Sequence, residues 1–254
     1  MDAIVGRSNL AIDSGQISEA IKLLKRFVKL QPDKYEIHAI IGRLLFQGNK
    51  KAEAAQWLVE AFEKRPTLPY VASDLGFLYL SVGEHPRALQ FLKLANRLQP
   101  SDQNVRRLLA EAYYLTGDYE DCVAICTRVI EEEPNFKRTR NILVWVLATA
   151  PYGKLRDPNR ALEIIEPEMK IFGKNSAVYN EVYAAIMAEK GDYDEAKAYQ
   201  AKAIGLVRDR VSTETYSDAQ LKGMRDRQQL YERGKPYRMD KPTETPLGSP
   251  GTKK

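Results

Sequence analysis

Two cysteines four residues apart, Cys122 and Cys126, are the side chains of this 254-residue chain best suited to redox or metal chemistry. A thiolate pair can hold zinc, but a closed tetrahedral site needs further ligands. The two histidines, His38 and His85, stand far from the pair in sequence. A spacing of i,i+4 puts both thiols on one face of a helix, where free cysteine packs as a small hydrophobe. Cys122 and Cys126 therefore read as core residues, with no metal expected. The run Glu131-Glu132-Glu133 could supply acid–base groups, but at the end of a helix it reads as a solvated face. The chain contains no Gly-x-x-x-x-Gly-Lys, no His-Glu-x-x-His and no Gly-x-Ser-x-Gly, the spacings that build phosphate, zinc and serine-nucleophile sites. The chain is expected to be no enzyme and to need no cofactor.

The elements that position these residues follow a period. Pro32, Pro66, Pro100 and Pro134 recur every 34 residues, as do Ala20, Ala54, Ala88 and Cys122, and Ser8, Gly42, Gly76 and Ala110. A 34-residue period of this kind denotes stacked helix–turn–helix units. It predicts an all-α fold, a right-handed α-solenoid of about six repeats, at 1–34, 35–68, 69–102, 103–136, 137–176 and 177–210. The small residues lie where paired helices cross closest. Gly15, Gly83 and Gly117 fall where a first helix ends and a left-handed conformation is needed. The prolines end the second helices, because proline removes a donor and clashes with the preceding turn.

Repeat five departs from this pattern. Its first helix is expected at about 138–149 and includes Trp145, and the turn from Ala150 to Pro158 is longer than elsewhere. Pro167 lies inside the second helix and is expected to kink it or force a restart. Repeat six has no closing proline, so its second helix is expected to run toward Asp209. Residues 211–238 read as a linker and a capping helix, the helix at 218–233, with Leu221, Met224, Gln228 and Tyr231 on one stripe. Such a helix covers the open end of a stack. From Met239 the composition turns to Pro, Thr, Gly, Ser and Lys, and 239–254 is expected to be a disordered tail.

The landmarks of repeat three, Leu75, Gly76, Tyr79, Gly83, Ala88, Leu92, Ala95 and Pro100, resemble the tetratricopeptide repeat (TPR) pattern, and the resemblance extends over roughly residues 1–210. Three further stretches resemble a bacterial subgroup of TPR proteins: Trp145 to Pro151, Arg156 to Ala161, and Lys235 to Arg238. The resemblance implies a non-catalytic interaction scaffold or adaptor that binds a peptide segment or partner protein. It also implies binding through the first helix of each repeat, whose inner face lines a concave groove. On that face the candidate partner-binding residues are Arg43 and Phe46 in repeat two, Tyr70 and Phe77 in repeat three, Arg107, Glu111 and Tyr114 in repeat four, and Arg138, Asn141 and Trp145 in repeat five. Arg and aromatic side chains are the ones that dominate interface energetics. The carboxylate clamp of TPR cochaperones would place Lys, Asn and Arg at fixed first-helix slots. Here those slots hold Val5, Asn9, Ile40, Tyr70 and Asp74, or Ala39, Arg43, Asp74, Asn104 and Leu108. Neither set matches.

Composition narrows the partners. The net charge of +5 is concentrated late in the chain: residues 205–254 hold 11 Lys and Arg against 7 Asp and Glu, a net of +4. That is too little, and too local, for the basic face that nucleic acid requires. No apolar run approaches the roughly 18 residues of a membrane span, and the N-terminus lacks the pattern of a signal peptide. A cytoplasmic location is expected. A second reading is a structural module. Ile4, Ile12 and Ile21 in repeat one would line an end face that no earlier helix covers, and an open apolar edge favours self-association into a homo-oligomer.

Overall fold

The computed structural model describes residues 2–134, 136–209, 211–212 and 215–241. Among them the secondary structure is helical, with thirteen α-helices and one short 3-10 turn. Residues 1–116 and 117–254 form two compact units, and the boundary falls between the two helices of repeat four.

The first unit contains α1 (Asp2–Asp13), α2 (Ile17–Leu30), α3 (Tyr35–Gln47), α4 (Lys51–Lys64), α5 (Pro69–Ser81), α6 (His85–Leu98) and α7 (Gln103–Thr116). Each helix packs on the next, and the first helices of successive repeats also meet, α3 on α5 and α5 on α7. Within each of the first three repeats the helices are joined by three residues, a link short enough to force an antiparallel hairpin. One residue of that link takes the left-handed conformation: Gly15 at φ 74°, Asn49 at 58° and Gly83 at 80°. Asn49 holds the same place in the period as the glycines, and asparagine is among the few other residues that visit this region readily.

The second helices stop where the prolines require it. Gln31, Arg65 and Gln99, each just before a proline, have φ near −140° and ψ near 80°, outside the helical region that a following proline disfavours. Inside the hairpins Ala20, Ala54 and Ala88 are fully buried, beside Leu24, Leu58 and Leu92. Each such leucine contributes about 1.5–3 kcal/mol by leaving water. The glycines opposite set the approach. A Cβ added at Gly42 would lie 2.7 Å from Leu58 Cγ, and one at Gly76 would lie 2.5 Å from Leu92 Cγ.

The second unit contains α8 (Tyr119–Glu132), α9 (Lys137–Thr149), α10 (Pro158–Phe172), α11 (Ala177–Lys190), α12 (Tyr193–Arg208) and α13 (Asp218–Glu232). Here α9 packs against α8, α10 and α11, and α13 closes on α12. The long turn of repeat five holds the 3-10 turn Gly153–Leu155. It is tied down by Asp157 N–H donating to Leu147 O at 2.9 Å and by Arg156 donating to Ala150 O at 2.8 Å. Asp157 then caps α10 through the Arg160 N–H.

Two expectations are corrected in part. Pro167 forces no end and restart: α10 runs unbroken from Pro158 to Phe172. The reason is tertiary. On either side of the proline, Ile165 and Glu168 are buried, and the Glu168 carboxylate bonds Arg140 of α9 and accepts from the Tyr179 hydroxyl of α11. The packed chain also continues past residue 238, where composition places a disordered tail. Met239 is only 7% exposed, and its N–H donates to Thr149 O at 2.9 Å. Residues 242–254 of that tail lie outside the described residues. The capping helix forms as the stripe implies, with Met224 and Tyr231 buried, Gln200 Nε2 donating to Met224 O at 3.1 Å, and a Ser217–Gln220 capping box at its start.

Candidate partner-binding faces

In the first unit the candidate residues gather on the neighbouring first helices α3 and α5. Arg43 Nε donates to Asp74 Oδ2 at 2.5 Å, and its guanidinium lies over the Tyr70 ring, 5.1 Å from the centroid. One turn further along α3, Phe46 meets Phe77 edge to face at 5.3 Å. Phe46 and Tyr70 are half-buried, whereas Phe77 is 47% exposed. The polar and aromatic groups hold one another in place. Burial pushes the Asp74 carboxyl above its ordinary range, while the hydrogen bond and charge of Arg43 pull it back. Burial likewise raises the Tyr70 phenol. Arg107, Glu111 and Tyr114 share one face of α7 at i, i+4 and i+7, all half-buried.

In the second unit, Arg138, Asn141 and Trp145 lie along α9. Arg138 is exposed, and the other two are half-buried. The neighbour of Trp145 is the chain's own C-terminal segment: Tyr237 lies 5.9 Å away between ring centroids, and Arg227 of α13 sits over both rings, at 5.4 Å and 5.3 Å. Arg227 also bonds Glu181 of α11. Burial holds the Glu181 carboxyl above its ordinary value against the pull of Arg227. Glu189, two turns further along α11, receives Arg238 at 2.5 Å and Arg156 at 2.7 Å.

Residue type alone does not single out Asp74 as the partner of Arg43, nor Glu181 and Glu189 as anchors. The ion pairs Arg43–Asp74 and Arg156–Glu189 join residues 31 and 33 apart. That is one period less a fraction of a helical turn, and opposite charges at this spacing are the signal that finds them. Cys122 and Cys126 are buried side by side in α8 with Sγ atoms 3.9 Å apart. Their mutual hydrogen bond and burial push the Cys122 thiol far up, away from the thiolate that reactivity needs.

Comparison with known proteins agrees with the period. Three family models described as tetratricopeptide repeat match residues 5–69, 79–143 and 183–209, together more than half of the chain. The human protein O-mannosyl-transferase TMTC1 is 26% identical over 143 residues, which is 56% of this chain but only 16% of that protein. Among solved structures, YrrB, described as a TPR protein with an unusual peptide-binding site, superposes with a TM-score of 0.62 at 16% identity, over 73% of this chain and 93% of its own. Pseudomonas aeruginosa PilF gives 0.60 at 16% identity over 82% and 91%. MamA from MSR-1 gives 0.59 at 19% over 70% and 98%. At such identities the likeness is one of fold. Among the described residues no helix is long and apolar enough to cross a membrane. The period, the hairpins built on it and the matching family models agree: the chain belongs to the tetratricopeptide repeat family.

Proposed function

We propose that the protein is a non-catalytic scaffold that holds a peptide segment or partner protein on the first-helix face of repeats two to four. The observation that carries this reading is Phe77. It is a large aromatic side chain left 47% exposed, seated against Phe46 and one turn from the Arg43–Asp74 pair over Tyr70. Aromatic and Arg side chains already held in one geometry lose little freedom on binding, and such groups form the energetic centres of interfaces. An Arg fork whose partner is half-solvated can exchange that partner for a peptide carboxylate or carbonyl. With neighbouring first helices about 10 Å apart, an extended segment would advance about three residues per repeat.

The test is affinity capture with mass spectrometry on matched variants. Arg107→Ala with Tyr114→Ala, and separately Phe77→Ala, should lose the partner that the parent chain captures while keeping its helical signal. Lys93→Ala, on the exposed side of α6, should retain it. Loss in Lys93→Ala with retention in the others would move the binding face to the second helices. A second reading, self-association through the α1–α2 end, is favoured by Leu10 and Leu30, exposed at 69% and 65%. Light scattering decides it: a mass that falls to one chain in Leu10→Ser would establish self-association through this end, and a parent chain already monomeric would remove it.

A further inference from the structure

Residues 235–241 have no regular secondary structure, yet they are held at almost every position. Tyr237 packs on Trp145, and Arg238 bonds Glu189. The Met239 side chain is buried and its N–H donates to Thr149 O. The Asp240 carbonyl accepts from the Tyr119 hydroxyl at 3.2 Å, and Lys241 lies over the Tyr152 ring at 5.9 Å. The turn at Gly234, φ 63°, aims the segment away from the end of α13. Trp145 and Thr149 lie on α9 and Glu189 on α11, at positions in the period equivalent to Arg43 and to Gln47 and Ser81. The segment thus lies on the same kind of face that carries Arg43 and Phe46 in the first unit. On that face it makes a main-chain hydrogen bond to α9 and successive aromatic, cationic and apolar side-chain contacts, as an extended peptide ligand would.

We propose that the first-helix face of repeats five and six is a recognition site for an extended segment carrying an aromatic, an Arg and an apolar residue in succession, and that Tyr237-Arg238-Met239 occupies it in cis. This rests on the reading that first-helix faces bind partners. The chemistry of the site sets the ligand class. Trp145 takes a ring, Glu189, whose Oε1 is bonded by Arg156, takes a second guanidinium at Oε2, and the space beside Thr149 takes an unbranched apolar side chain, which methionine fills well. While the segment is seated, repeats five and six are closed to outside partners.

The experiment uses the full chain. A labelled synthetic peptide of residues 234–241 is titrated against the parent and against the triple variant Tyr237→Ser, Arg238→Ser, Met239→Ser. A tethered segment acts at an effective concentration of order mM, so the titration runs to about that range. The variant should keep the parent's helical signal and bind the peptide saturably. The parent should bind it at least about tenfold more weakly, since its own segment competes. Adding Glu189→Gln to the variant should cost about tenfold or more in affinity, because it removes the charged acceptor of the peptide Arg. Equal binding by parent and variant, or no binding by the variant, overturns the proposal. So does loss of the helical signal, which would make the segment part of the core. A second measurement on the parent is independent of any variant. The Met239 amide should exchange with solvent much faster than the amides of α9 and α11, and protection equal to theirs would make the segment a fixed part of the fold. Partner capture through Phe77 does not change under any of these outcomes, so this proposal and the one on repeats two to four fail separately.

Discussion

At Gly76 an added Cβ would sit 2.5 Å from Leu92 Cγ and 2.7 Å from its Cδ2, so even alanine must displace a fully buried leucine. Overpacking of this kind costs about 1–3 kcal/mol. Gly76→Ala should therefore lower the thermal midpoint, although alanine is the better helix former. Gly205 in α12 has nothing within 4 Å of its would-be Cβ, so Gly205→Ala should add up to about 1 kcal/mol. Calorimetry of the two variants checks both signs, and a stabilising Gly76→Ala would mean that the hairpins are not in this register. The Arg43–Asp74 pair has its own test. Burial raises the Asp74 carboxyl more than Arg43 lowers it. A folded-state value above the unfolded one means stability that is present below the ordinary carboxylate range and lost as pH rises through the folded value. Arg43→Ala removes the attraction, so the Asp74 carboxyl signal should titrate at still higher pH by NMR, and a lower midpoint would show that the pair does not form. The small residues were legible because each fills a fixed place in the period. The pairing of Arg43 with Asp74 was not, because it depends on how one repeat stacks on the next, which a pattern of single residues does not encode.

Local rules and packing disagree most clearly in α10. Proline in a helix interior removes one hydrogen bond and clashes with the carbonyl four residues earlier, yet α10 continues through Pro167 because Ile165 and Glu168 are held on both sides of it. Since Pro167 is exposed, Pro167→Ala should recover part of the ~3 kcal/mol that an interior proline costs. The gain is offset by about 0.4–1 kcal/mol from the freer unfolded chain, leaving a net stabilisation of about 1–2 kcal/mol in thermal melts. A destabilised variant would mean that the backbone geometry proline imposes is used by the packing of α9, α10 and α11. The same contrast governs the C-terminal segment. Its composition argues against a core, and its contacts reach Trp145 and Tyr119, the latter 121 residues from Asp240. No local pattern announces contacts at such separations. Only the Lys235-Pro-Tyr-Arg238 stretch marked it, and then only through resemblance. The capping helix, by contrast, was readable from one stripe, because Met224 and Tyr231 bury through the ordinary helical period.

Taken as a whole, the chain repeats one hairpin whose inner positions are fixed by packing and whose first-helix surface is free to vary. That division explains what the sequence discloses. Periodic Ala, Gly, Leu and Pro specify the fold, so the family was legible without any chemistry. The candidate partner-binding residues share positions in the period, Arg43 with Phe77, Glu111 and Trp145, but differ in type from repeat to repeat, and those types narrow the partner only to something with groups that suit Arg and aromatic rings. Phe77 shows the point: its counterparts in the period are Arg43 in repeat two and Glu111 in repeat four, and its exposure as an aromatic ring marks it out. The central claim is that repeats two to four bind through α3, α5 and α7. Side-chain footprinting of the full chain with and without its captured partner tests this most directly. Phe46, Tyr70, Phe77 and Tyr114 should become protected, while Leu30 and Leu98, exposed at the ends of α2 and α6, should react as before. Protection of Leu30 and Leu98 with Phe77 unchanged would contradict the account.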